Sequence, residues 1–123
     1  MSKISFSQEQ LLAQKDLERI LWEVFWSYSK ELGLEESEEI KNQRVAEAQT
    51  MIPDFAESAA ELELYMDYPV IHLFLTSLHL KRNFLQTDEV KKILEIKGPD
   101  NNAKLALLVR KLKENGVLWQ YQQ

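Results

Sequence analysis

Cysteine is absent from the chain. That excludes a disulfide framework, thiol catalysis and cysteine-bound zinc, and it suits a reducing compartment. Glycine and proline are scarce, three of each in 123 residues. So little loop remains for building a site, and neither a glycine-rich phosphate loop nor a G-x-S-x-G turn occurs. Histidine appears only as His72 and His79. On one helix they would lie about 10.5 Å apart along the axis, too far to share a metal ion, and no HExxH or Glu-x-x-His pair is present. No apolar run approaches the roughly 18 residues of a membrane span, and the opening MSKISFSQEQ lacks the apolar core of a signal peptide. These absences predict a cytoplasmic, non-enzymatic chain with no metal and no cofactor.

What is present is the composition of an ordinary soluble globular protein, 45% hydrophobic and 28% charged, long enough for one helical domain over residues 1–123. The pattern organises around YPVIHLFLTSLHLKRN, residues 68–83. Its apolar side chains (Val70, Ile71, Leu73, Phe74, Leu75, Leu78, Leu80) surround the helical circumference, as in a buried helix. Its polar residues His72, Thr76, His79 and Asn83 fall on one edge, predicting a polar seam between helices or a polar contact line for a partner. The expected fold is all-α, a bundle of five or six helices with 68–83 at its centre.

Helices are expected on either side of this segment. Ser7 and Gln10 form a capping box, with Phe6 placed to staple onto Leu11, and three- and four-residue spacing from Leu17 to Leu32 predicts a helix over 8–32 stopped by Gly33. Ser37, with Glu38 and Glu39, opens a second helix whose thin stripe (Ile40, Val45, Ala48, Met51, Ile52) places it outside the bundle. Pro53 is expected to break it, with Asp54 and Glu57 capping a further helix that carries Phe55, Ala59, Leu62 and Met66 and ends at Pro69. Thr87 caps a short helix through Val90, Ile93, Leu94 and Ile96. Asp100 or Asn101 caps a last one, along Leu105, Leu108, Val109 and Leu112. The tail VLWQYQQ alternates and reads as a short extended wing or an arm packed on the bundle.

Charge divides the chain. Residues 1–80 hold 6 Lys/Arg against 15 Asp/Glu, a balance of −9; residues 81–123 hold 9 against 5, a balance of +4. Either the two ends neutralise one another within the fold, or they face different partners, one of which could be a nucleic acid. Lys81, Arg82, Lys91, Lys92, Lys97, Lys104, Arg110, Lys111 and Lys113 are the phosphate-contacting candidates. Trp22 and Trp26 lie about a hundred degrees round the first helix from Leu21 and widen its apolar face. Either two helices cover that face, or part of it binds a partner.

In size, helical make-up, lack of a catalytic motif and the basic set Lys81–Lys113, the chain resembles the small helical subunits of CRISPR effector complexes. The resemblance implies a non-catalytic subunit or adaptor of an antiviral nucleoprotein assembly, docking through the aromatic first helix and touching nucleic acid or an acidic partner through residues 81–113. Two alternatives stand beside it. One is a helix-turn-helix regulator over 88–114, with Asn101, Asn102 and Lys104 reading bases. The other is an acidic inhibitor or immunity protein presenting Glu35 to Glu63 to a basic surface.

Overall fold

The computed structural model describes residues 8–98 and 100–114, with side chains from residue 14 onward. The Ser7–Gln10 capping box, the Phe6–Leu11 staple and the extended C-terminal arm lie outside the described residues. The fold is all-α. Five helices, α1 (Gln8–Ser27), α2 (Glu38–Glu61), α3 (Tyr68–Leu80), α4 (Asp88–Leu94) and α5 (Asn101–Glu114), are joined by turns and one 3-10 turn (Phe84–Gln86), with no strand among the described residues. Nor is any helix among them long and apolar enough to cross a membrane.

α3 is the hub, as its composition predicts. It packs against α1, α2, α5 and the 3-10 turn, and Val70, His72, Leu73, Phe74, Leu75, Thr76, Ser77 and Leu78 are all buried. Two hydroxyls inside that apolar set need acceptors, since an unpaired buried polar group costs about 1–3 kcal/mol. Thr76 Oγ1 donates to the His72 carbonyl (2.8 Å) and Ser77 Oγ to that of Leu73 (2.7 Å), each one turn back along the helix. Ser77 Oγ also accepts the Phe84 N–H at 2.9 Å, pinning the 3-10 turn to α3.

α2 departs from expectation. Pro53 does not break it, and Asp54 caps nothing: one helix of 24 residues runs through both, and it is a core element rather than an outer one. Ala48, Ile52, Phe55, Ala56 and Ala59 are fully buried at spacings of four, three, one and three, one continuous stripe passing the proline without a change of register. Pro53 and Gln49, whose carbonyl the ring deprives of a partner, are both exposed residues. The small alanines admit a close neighbour, and Phe55 meets Phe74 of α3 edge-on with ring centroids 5.4 Å apart.

α1 also ends earlier than its periodicity predicts, at Ser27 rather than Leu32. Gly33 nonetheless takes the left-handed conformation expected of it, at the end of the turns that follow the helix. Gly33 has φ +77°, its N–H donates to Lys30 O (3.1 Å), and the Leu34 N–H donates to Ser29 O (2.9 Å), the paired bonds of a Schellman turn. The other two stops of this kind carry no glycine. Glu63 (φ 55°) closes α2 and Lys81 (φ 60°) closes α3, each followed by the same long bond, Leu64 N–H to Ala59 O and Arg82 N–H to Ser77 O. α2 therefore ends at Glu61, well short of Pro69, because Leu64 must turn inward to be buried.

Because Pro53 is exposed within a helix interior and forfeits one backbone bond, Pro53→Ala is expected to raise stability by about 1–3 kcal/mol. Chemical denaturation with unchanged circular dichroism would check this.

Candidate docking surface

The aromatic face of α1 is a set of rings packed edge to face. Phe25 is wholly buried, Trp22 is half-buried against the core, and Trp26 is 46% exposed. Both indoles meet the Phe25 ring edge-on, Trp22 at 5.6 Å and Trp26 at 5.0 Å between centroids. Such geometry fixes aromatic rings. The two tryptophans are therefore not equivalent: Trp22 is largely spent on packing, while Trp26 presents its indole outward. An exposed ladder runs along the same helix, Arg19 bonding Asp16 (2.8 Å) and Glu23 (3.1 Å). Exposed pairs of this kind contribute little stability.

The basic set does not form one uniform surface. Lys81 lies 3.9 Å from Glu47, which Arg44 approaches at 3.5 Å. Lys104 Nζ donates to the Leu94 carbonyl (3.3 Å), Lys113 sits 5.8 Å over the Tyr68 ring, and Arg110 faces Glu114 at 3.6 Å. Arg82, Lys91, Lys92, Lys97 and Lys111 are exposed and pair with no acid among the described residues.

The residues named for base reading in the helix-turn-helix alternative, Asn101, Asn102 and Lys104, lie in the same region. α4 and α5 are separated by residues 95–100. Asp100, not Asn101, caps α5, accepting the Ala103 N–H at 2.9 Å. Asn101 Nδ2 donates to Leu62 O at 2.7 Å, at the end of α2. Asn102, 2% exposed, donates to Tyr65 O (2.8 Å) and accepts the Tyr65 N–H (3.1 Å), pairing with that backbone as a neighbouring strand would. Neither asparagine is turned outward for a base edge, and Lys104 is held against α4. The end of α5 is a clamp on the segment between α2 and α3.

The polar seam is likewise divided. His72 is buried with its Nε2 2.9 Å from the Tyr68 hydroxyl, whereas His79 is exposed. Asn83 lies beyond α3 and turns to α2, donating to Asp54 Oδ2 (2.9 Å) and Ser58 Oγ (3.0 Å) while accepting the Leu85 N–H (3.0 Å). Burial, and after it the charge of Lys113, push the His72 imidazole down from its ordinary 6.5 to about 4. No group of three His, Asp or Glu among the described residues could hold a metal ion.

No family model, no curated protein and no solved structure matches the chain.

Two outcomes are expected. Asn102→Ala removes both bonds to Tyr65 and should cost about 2–3 kcal/mol, read by urea unfolding. For His72, the unfolded chain takes up a proton below about pH 6.5 and the folded chain only near pH 4. Stability therefore rises with pH across that window and falls as the solution is acidified. Between pH 7 and pH 5 the wild type should lose up to about 2 kcal/mol more than His72→Gln.

Proposed function

We propose that the chain is a non-catalytic docking subunit, an adaptor that binds another protein subunit through the Trp26 edge of α1. The observation that carries this reading is Trp26 itself: a large indole packed edge-on against buried Phe25 yet 46% exposed. Tryptophan is enriched among the few residues that dominate interface energy, and a pre-ordered ring loses little entropy on binding. A partner with an apolar slot for the indole, rimmed by charges complementary to Asp16, Arg19 and Glu23, fits this face. A place in an antiviral effector assembly, which the sequence resemblance implied, is the larger setting of the proposal.

A second arm of the reading rests on the exposed cations. Arg82, Lys91, Lys92, Lys97 and Lys111 are available to an anionic partner, a nucleic acid or an acidic protein, in that assembly. Lys81, Lys104, Arg110 and Lys113 already face groups of this chain.

Trp26→Ala should leave helicity unchanged, because the side chain is largely outside the core. It should weaken the purified complex with a partner captured from the native host about 30-fold, the effect of losing a hot-spot residue worth about 2 kcal/mol. Unchanged affinity would refute the α1 face as the docking edge. Nuclease treatment before capture separates the arms, since a partner held through nucleic acid would be lost and one docked on Trp26 retained.

A further inference from the structure

A cleft of about 590 Å³ opens between the end of α2 and α4, away from the α1 face. Leu85 and Val90 floor it, and half-buried Leu62 and Leu94 form its apolar shoulders. Its volume is that of a ligand site, where sites run from about 300 to 1,000 Å³. Each wall carries an exposed carboxylate, Glu61 on α2 and Glu95 after α4. Neither pairs with a cation among the described residues. Against these two acids the lining offers one cation, Lys91.

An apolar trough between two unpaired acids is complementary to one kind of occupant. We propose that this cleft binds an amphipathic segment of a partner protein, with an aliphatic or aromatic anchor between Leu62 and Leu94 and flanking lysines or arginines paired with Glu61 and Glu95. A helix laid in a groove presents such an arrangement, its anchor and its cations one turn apart on one face. Among the described residues none of α1 lines the cleft, so this site stands whether or not Trp26 docks a partner, and the chain would join two proteins.

The probe is a fluorescein-labelled peptide of leucine and lysine, about four helical turns long with helical periodicity, titrated against the full chain by fluorescence anisotropy. Saturable binding is expected. Glu61→Lys with Glu95→Lys, both at exposed positions, should weaken it at least tenfold with unchanged circular dichroism and should admit a leucine–glutamate peptide that the wild type rejects. A serine–lysine peptide of equal charge should bind at least tenfold more weakly than the leucine–lysine one. Equal weakening by the control pair Glu35→Lys and Glu38→Lys, which lies outside the cleft, would reduce the effect to the charge of the acidic body and overturn the proposal. Absence of saturable binding would overturn it as well. So would a wild-type dimer, seen by sedimentation and abolished by the cleft pair, because a second copy would then be the occupant.

Discussion

The need to bury α3 on every side is the constraint from which the rest of the architecture follows. An amphipathic helix can be satisfied by one neighbour and water, but a helix apolar all round must be enclosed. Here α1, α2, α5 and the 3-10 turn enclose it. That requirement explains why α2 is long and alanine-rich on its inner face, and why Phe55 and Phe74 share the α2–α3 seam. It also explains the back-bonded hydroxyls: a threonine or serine so deep has only the helix's own carbonyls within reach.

Packing alone leaves the order and register of these helices loosely specified, because apolar surfaces are interchangeable and hydrogen bonds are not. Two asparagines supply the missing specificity. Asn83 ties the exit of α3 to Asp54 and Ser58 of α2. Asn102 ties the start of α5 to Tyr65, in the entry to α3. Each uses both ends of its amide, so a slip of one position would leave a buried polar group without a partner. His72 adds a neutral buried imidazole between Tyr68 and the field of Lys113.

The surface is organised by what the interior consumes. The late segment is basic in sequence, yet part of that charge is spent on Glu47, the Leu94 carbonyl, Glu114 and the Tyr68 ring. Of the two tryptophans on α1, packing consumes Trp22 and leaves Trp26 outward. Surface features among the described residues include an aromatic edge on α1, an acid-walled cleft between α2 and α4, and exposed lysines on and after α4. They stand on different elements.

Much of this was legible in the chain because burial and periodicity are local signals. The all-α class, α3 as the hub, the Ser37 cap (its Oγ accepts the Ile40 N–H at 3.1 Å), the left-handed turn at Gly33 and the apolar stripe of α5 all follow from residue order. The candidate site was legible only as two tryptophans and a list of cations. Which indole faces out, and which lysines are already engaged, depends on neighbours distant in sequence. The same holds for the errors. Pro53 reads as a break, but the stripe from Ala48 to Ala59 gains more by staying in register than the helix loses at one carbonyl. Glu63 and Lys81 carry no stop signal of their own. They turn left-handed because Leu64 must be buried next to one and Asn83 and Phe84 next to the other. Asn101 and Asn102 resemble a cap and a reading head until Leu62 and Tyr65 are brought beside them. Sequence by itself determined which segments are helical and which of them must lie at the centre, since both depend on the spacing of apolar side chains. Tertiary structure alone decided where two helices stop and which polar groups face inward, since neither the core that buries Leu64 nor a hydrogen-bond partner distant in sequence is visible to local pattern.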